Sequence, residues 1–232
     1  NWINSSDSPP IIFTGATSNP PSNDWIETLE WIKLNTPENA VIASWWDYGY
    51  WITTMSDRTT IVDNATLSTK QIQKMAQMLM STPDNSWNIL KEMNADYVVI
   101  FLSAQKINDV DQLYVLGGGG DESKSPWFAQ IGDFPVKRFF ESDLSTPNNY
   151  FDEQTMLGKM IPFTTAVYYE PQTHENSSFY KPGFVKILSK NIKYDSDDDP
   201  LKLVYASSSF MNEKGGPMNI VLVYEVNKNI LP

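Results

Sequence analysis

The sequence has 232 residues, with 28 acidic and 17 basic side chains, a formal net charge of −11, one His and no Cys. The absence of Cys excludes a disulfide scaffold, thiolate metal sites and a Cys nucleophile, and an acidic chain is unsuited to binding a nucleic-acid backbone. No segment reaches the roughly 18 to 20 consecutive apolar residues that cross a bilayer.

The first 23 residues are rich in Ser, Pro and Asn, a composition typical of a linker between domains. The sequence opens on Asn, without a preceding basic or apolar targeting segment, which favours a fragment or a processed product. We therefore expect a linker over residues 1–23 and one globular domain over residues 24–232.

Helices and strands alternate in the first half of the domain. Trp25, Leu29 and Ile32 share one face of a predicted helix over Asp24–Leu34. The next predicted elements are a buried strand at Ala40–Trp45, a β-branched strand at Thr59–Val62, a helix capped by Ser68 that runs to about Met80, a helix at Pro83–Asn94, and an apolar strand at Tyr97–Leu102. This alternation is typical of an α/β core.

The second half begins at a run of four glycines, Gly117–Gly120, and becomes rich in strands. The patterns predict helices at Asp121–Ile131 and Tyr150–Ile161, then strands at Thr165–Tyr169, Phe184–Tyr194, Leu203–Ser207 and Ile220–Val226, with an acidic turn at Asp195–Pro200. The predicted fold class is α/β, a mixed helix-strand core with a strand-rich C-terminal part.

The segment Trp45–Gly49 reads WWDYG and combines donors with an acceptor. An indole N–H only donates and a carboxylate only accepts, so Trp45, Trp46 and Asp47 can satisfy a hydroxyl in both its roles. Such a pocket favours Ser or Thr over Ala or Val, because an analogue without the hydroxyl leaves polar groups unpaired. Gly49 offers a place for the backbone to turn. An aromatic corner that only packs the core is the alternative interpretation.

This pentapeptide, followed by the segments Asp57–Thr60 and Val62–Asn64, resembles the catalytic subunit of oligosaccharyltransferase. The likeness runs from about Trp25 to Ile131 and is weaker over Leu203–Val226. It implies a C-terminal globular domain that follows a multi-pass membrane domain. It also implies that the Ser or Thr hydroxyl of an Asn-x-Ser/Thr acceptor is contacted by Trp45, Trp46 and Asp47. The resemblance implies that the turn is shaped by Tyr48 and Gly49.

A second motif of that family has Asp, then Lys three residues later, then Met or Ile four further on. Asp121 and Lys124 match it, and Phe128 departs from it. These three positions share one helical face, so they can approach the same pocket. The alternative is a capping Asp with an exposed salt bridge, which is worth only tenths of a kcal/mol.

The resemblance implies that the whole enzyme transfers a lipid-linked oligosaccharide to the Asn of an acceptor polypeptide. The Mn²⁺ or Mg²⁺ ion that assists would be bound by the membrane domain, so we expect no metal ligand, no catalytic residue and no transferase activity in these 232 residues. We expect this domain on the extracytoplasmic side, in an archaeal envelope rather than a eukaryotic lumen. The alternative function is an extracytoplasmic carbohydrate- or peptide-binding module without catalysis.

Other motifs point less clearly to a function. Gly118–Ser125 nearly matches a phosphate-binding loop, but Ser123 replaces its second Gly, so we expect no nucleotide site. His174 is expected at the surface, and the acidic turn lacks the Gly and Glu of a calcium loop. Three sequons are possible glycan sites if the domain faces outward: those at Asn4, Asn64 and Asn176.

Overall fold

The structure, a computed structural model, describes residues 23–107, 113–211 and 216–229. Residues 1–22 of the predicted linker, which was expected over residues 1–23, and the sequon at Asn4 lie outside the described residues. The helices are α1 (Asp24–Asn35), α2 (Gly49–Met55), α3 (Thr69–Met80), α4 (Pro83–Glu92), α5 (Asp121–Ile131), α6 (Asn149–Gln154), α7 (Met156–Met160) and α8 (Ser208–Met211), with single 3-10 turns at Trp46–Tyr48 and Val136–Arg138.

Within the described ranges, the strands form one sheet of nine. They are β1 (Val41–Ser44), β2 (Thr59–Thr60), β3 (Tyr97–Ile107), β4 (Leu113–Leu116), β5 (Phe163–Glu170), β6 (Glu175–Ser177), β7 (Val185–Lys190), β8 (Leu201–Ala206) and β9 (Gly216–Val226). The pairs β1–β2 and β1–β3 are parallel, and the other pairs are antiparallel. The mixed α/β fold predicted from the sequence is confirmed.

Strand β3 is the centre of this sheet. One edge pairs with β9 from Tyr97 to Lys106. The other edge pairs first with β1, as far as Val99, and then with β4, from Ala104 onward. Four residues, 100–103, therefore lie between two strand partners on that edge. The candidate site described below is built at this gap.

The sheet is covered by apolar helix faces. Trp25, Leu29 and Ile32 of α1 are all buried, as the helical periodicity predicts. Helix α1 packs on β9 and α5 packs on β3, while α3 contacts α4, α5 and α7. All six residues of the predicted strand Tyr97–Leu102 are buried, which confirms that it is covered on both faces.

Several predicted boundaries change in the structure. The helix expected over Tyr150–Ile161 is two helices, because Thr155 is extended (φ −96°, ψ 152°) and its hydroxyl accepts the Gly158 N–H as the cap of α7. The strand expected at Thr59–Val62 has two residues, since the chain leaves the sheet at Ile61. The short strands β4 and β6 were not predicted. The strand-rich C-terminal part joins the same sheet as the first half, through β9 and β7.

Candidate functional site

The WWDYG segment forms a tight corner at the carboxyl end of β1. Trp46, Asp47 and Tyr48 make one 3-10 turn, and α2 begins at Gly49 without an intervening loop. Gly49 has ordinary helical angles (φ −57°, ψ −46°), so the chain does not need glycine there for an unusual turn, contrary to the sequence interpretation. Glycine is needed for space: a Cβ on Gly49 would lie 2.5 Å from the Asp63 Cα and 2.6 Å from the Val62 carbonyl oxygen.

The start of α5 fills the gap along β3. The Phe101 N–H donates to Asp121 Oδ2 at 2.9 Å, and the Ser103 N–H donates to Glu122 Oε1 at 3.3 Å. Two carboxylates thus replace the missing strand partner, because N–H groups two residues apart point to the same edge of a strand. Gly120, which precedes them, lies so close that a Cβ there would come within 2.7 Å of the Leu102 Cα.

A polar network joins the corner to α5. Lys124 Nζ lies 2.5 Å from Asp47 Oδ2 and 3.1 Å from the Tyr48 hydroxyl oxygen. The Tyr48 hydroxyl in turn donates to Asp121 Oδ1 at 2.8 Å. The two sequence motifs, more than 70 residues apart in the chain, therefore meet side chain to side chain. The exposed Asp121–Lys124 salt bridge that was the alternative interpretation is not what the structure has, since Asp121 is only 1% exposed.

Aromatic rings surround this network. The rings of Trp45 and Phe128 lie 4.4 Å apart, and Phe128 has no exposed surface, so it lies behind Trp45. Trp25 packs on Tyr48 from the interior, with ring centroids 4.7 Å apart. Trp46 is half-buried, and the Asp47 side chain is 24% exposed. The corner is therefore part of the core on one side and open to solvent on the other.

The indole N–H groups of Trp45 and Trp46 donate no hydrogen bond within the described residues. By contrast, the only indole N–H that is sealed from solvent without a partner in the described part of the chain belongs to Trp25. The N–H groups of Trp45 and Trp46 can donate to a ligand. A ligand that covered them without accepting a hydrogen bond would leave them unpaired, which costs free energy.

Burial shifts the ionisation of the groups beneath the corner. Burial raises the pKa of Asp121 to about 6, although nearby Lys124 and the hydrogen bonds from Phe101 and Tyr48 oppose the shift. Burial also raises the pKa of Glu122 to about 8, and its Oε2 atom has no hydrogen-bond partner. Burial and the neighbouring Asp121 raise the pKa of Tyr48 well above its usual value, so its hydroxyl stays protonated and donates. Glu122 is therefore mostly protonated at neutral pH, whereas Asp121 is mostly ionised above about pH 6.

A side chain from the next segment holds the corner from the solvent side. Asn64 Nδ2 donates to the Asp47 carbonyl oxygen at 3.0 Å, and its Oδ1 accepts the Tyr50 N–H at 3.1 Å. The neighbouring Asp63 turns the chain locally, since its Oδ1 accepts the Ala65 N–H at 2.9 Å. The backbone of this segment is the one that packs on Gly49.

The structure brings together every site residue predicted from the sequence: Trp45, Trp46, Asp47, Tyr48, Gly49, Asp121, Lys124 and Phe128. Their roles toward a substrate stay predictions. The sequence interpretation did not include Glu122, and its signal is only a carboxylate next to Asp121 after a run of glycines. His174 is exposed, as expected.

Metal-binding and membrane-spanning features were sought in the described residues. There, no three or more His, Asp or Glu side chains are grouped so that they could hold a metal ion. Within residues 23–107, 113–211 and 216–229, the helices lack the length and apolar character needed to cross a bilayer.

Comparison with known proteins finds similarity over part of the chain. Residues 38–118 match the STT3/PglB/AglB core domain. The chain is 35% identical over 112 residues to the dolichyl-diphosphooligosaccharide–protein glycosyltransferase subunit STT3 of Saccharomyces cerevisiae, which is 48% of this chain and 14% of the yeast protein. It is 32% identical over 142 residues to subunit STT3B of rice, or 60% of this chain and 18% of that protein. The chain is homologous to part of these glycosyltransferase subunits and spans about a fifth or less of their length.

The solved structures that the structural comparison matches include the C-terminal globular domain of oligosaccharyltransferase from Archaeoglobus fulgidus. It is 17% identical, with a TM-score of 0.47 over 90% of this chain and 99% of that one. A second structure is an A. fulgidus oligosaccharyltransferase tethered to an acceptor peptide that contains an NVT sequon. It is 13% identical, with a TM-score of 0.48 over 90% of this chain and 33% of that one.

Proposed function

We propose that residues 24–232 are the acceptor-recognition domain of an oligosaccharyltransferase catalytic subunit, joined by residues 1–23 to a multi-pass membrane domain. In this proposal the corner binds the Ser or Thr of an Asn-x-Ser/Thr acceptor polypeptide. The domain lies on the extracytoplasmic side of the membrane, in an archaeal envelope. The homology to STT3 subunits supports the enzyme class, and the chemistry of the corner supports the role of these residues in it.

The observation that carries the proposal is the meeting of Lys124 with Asp47 beside two indole donors. Lys124 engages Asp47 Oδ2, so Oδ1 of the same carboxylate can accept the proton of an alcohol. The indole N–H groups of Trp45 and Trp46 can donate to the oxygen of that alcohol. A hydroxyl would be satisfied in both its roles, whereas Ala or Val at the same position would leave the three groups unpaired.

Transfer itself belongs to the rest of the enzyme in this proposal. The membrane domain would bind the lipid-linked oligosaccharide and the Mn²⁺ or Mg²⁺ ion, which would act as a Lewis acid there. The described residues offer no group of ligands for such an ion, so no step of the transfer is assigned to them. The isolated chain should show no transfer, and it should bind sequon peptides only in about the millimolar range, because one hydroxyl pocket buries little area.

The proposal is tested with Asp47→Ala in the full-length enzyme. We expect turnover of an Asn-x-Thr peptide to fall about a hundredfold, since the variant loses the acceptor for the hydroxyl proton and the carboxylate partner of Lys124. The matched control is Asp197→Ala, which also removes the partner of a lysine, Lys202, but at an exposed pair on another part of the domain. Control and wild-type rates should agree. Near-normal turnover by Asp47→Ala would contradict the proposal.

The alternative is an extracytoplasmic module that binds carbohydrate or peptide without catalysis. The exposed aromatic side chains Trp127 and Tyr50 favour it, because carbohydrate binders stack sugars on such rings. The reading frame upstream of the first residue separates the two functions. A multi-pass apolar region there supports the transferase, and a signal peptide alone supports the module.

A further inference from the structure

Asn64 links a backbone group inside the motif turn to a backbone group that follows the turn. Its amide nitrogen binds the carbonyl oxygen of Asp47, inside the 3-10 turn, and its amide oxygen binds the N–H of Tyr50, in the first turn of α2. The first N–H groups of a helix have no acceptor within the helix. Asn64 therefore supplies from 14 residues away the cap that Tyr48, the residue before α2, does not supply, since Tyr48 makes no side-chain cap bond.

The packing around Asn64 leaves this side chain little choice of position. The backbone at Val62 and Asp63 is so close to Gly49 that even one methyl group between them would clash. Asp63 also binds the Ala65 N–H, which fixes the turn that follows Asn64. A side chain held on both flanks can fix the position of the groups that it binds, which here are the Asp47 carbonyl oxygen and the Tyr50 N–H.

We infer that Asn64 is a positioning residue for the hydroxyl site: its amide fixes the Trp46–Tyr48 turn so that the Asp47 carboxylate and the Trp46 indole face one point. The inference rests on the proposed function and deepens it, because it names what holds the recognition groups in place. Asn64 itself touches no substrate in this scheme. The sequon Asn64-Ala65-Thr66 makes a control available, because its Thr66 can be changed without altering either amide hydrogen bond.

Three variants of the full-length enzyme separate the two hydrogen bonds from other effects. Asn64→Ala removes both bonds. Asn64→Asp keeps an acceptor for the Tyr50 N–H but loses the donor to the Asp47 carbonyl oxygen. Thr66→Ala keeps both bonds and removes the sequon, so it reports any effect of a glycan on Asn64. Each is assayed at a temperature where it is fully folded.

The kinetic readout is kcat/KM for Asn-x-Thr peptides, with Asn-x-Val peptides as the hydroxyl-free comparison. We expect Asn64→Ala and Asn64→Asp to lower the Thr-over-Val preference about tenfold, because a misplaced recognition group loses selectivity. Thr66→Ala should keep the wild-type preference. A residue that only stabilised the fold would leave this ratio unchanged. A wild-type ratio in both Asn64 variants, with a discriminating wild-type enzyme, would overturn the inference and leave the proposed function standing.

The second readout does not depend on the proposed function. Hydrogen exchange at the Tyr50 amide should accelerate at least about tenfold in Asn64→Ala and stay slow in Asn64→Asp and Thr66→Ala. If the wild-type enzyme did not distinguish Asn-x-Thr from Asn-x-Val, the proposed function would fail, and this pattern would still show whether Asn64 holds the turn. Unchanged exchange in Asn64→Ala would overturn the positioning role.

Discussion

The two ends of strand β1 have Lys and acidic side chains nearby, but these side chains are solvated at one end and mostly buried at the other. At the amino ends of β1 and β3, a cleft of about 650 Å³ is lined by the Lys228–Asp96 and Lys202–Asp197 pairs, whose side chains are 31% to 86% exposed. At the carboxyl end of β1, Asp121 and Glu122 are buried and hydrogen-bonded to Phe101 and Ser103 in the middle of β3. Solvated charges cost little to arrange and contribute little, whereas buried ones affect stability and ionisation strongly. This cleft is thus less informative about function than the buried groups at the corner.

The largest expected difference between the two ends is the pH dependence of stability. The folded state raises the pKa of Glu122 from 4.5 to about 8 and that of Asp121 from 3.8 to about 6. Between these folded and unfolded values the native state binds more protons, so the free energy of unfolding falls as pH rises. Above about pH 6 the decrease in the free energy of unfolding that Asp121 causes is nearly complete. The further decrease up to pH 8 is caused by Glu122.

We therefore expect Glu122→Gln to remove a fall of about 2.3 kcal/mol between pH 6 and pH 8, because the amide stays neutral. Urea unfolding at pH 6, 7 and 8 measures it. Glu225→Gln, at an exposed glutamate of the opposite cleft, should follow the wild-type curve. Parallel curves for wild type and Glu122→Gln would show that Glu122 ionises normally and would erase the contrast between the two ends.

A smaller effect is expected from Gly49→Ala. The added Cβ would lie 2.5 Å from the Asp63 Cα, so the backbone of one segment must shift, at a cost of about 2 kcal/mol. Gly117→Ala is the matched control, since a Cβ on Gly117 meets no atom within 4 Å. Thermal or urea unfolding of both variants measures the difference. Equal stability of the two variants would mean that the backbone of residues 62–64 shifts easily. Close packing would then no longer distinguish the corner from the opposite cleft.

The smallest effect is expected at the opposite cleft. Lys228→Ala removes one partner of a half-exposed Asp96, which also accepts the Val41 N–H, and should change the free energy of unfolding by at most about 0.5 kcal/mol. Urea unfolding at low and high salt tests this. A loss above about 1.5 kcal/mol would show that the exposed pair is structurally important, and the comparison between the two ends would fail on that side.

Periodicity and local motifs predicted much of this molecule. The buried face of α1, the Ser68 cap of α3 and the bounds of α5 follow from spacing along the chain, which is where such information resides. The break at Thr155 was missed, because a threonine within an apolar helical pattern gives no sign that its hydroxyl will cap a new helix.

The candidate site was predicted in its membership and not in its construction. WWDYG and the Asp121–Lys124 spacing indicated the residues, but no local pattern shows that α5 replaces a strand beside Phe101. The same holds for Gly49, whose reason is the neighbouring Asp63 backbone rather than its own dihedral angles. Both facts arise from contacts between distant segments, which a single sequence does not display.

Strand β9 has a consequence for how the molecule comes into being. It forms ten residue pairs with β3, whose residues lie 110 to 128 positions earlier in the chain. The central strand therefore cannot complete its ladder until nearly all of these residues have left the ribosome. A product truncated before residue 216 would leave an apolar strand edge unpaired and prone to aggregation. During synthesis, residues 97–107 therefore remain unpaired along this edge until β9 has been made.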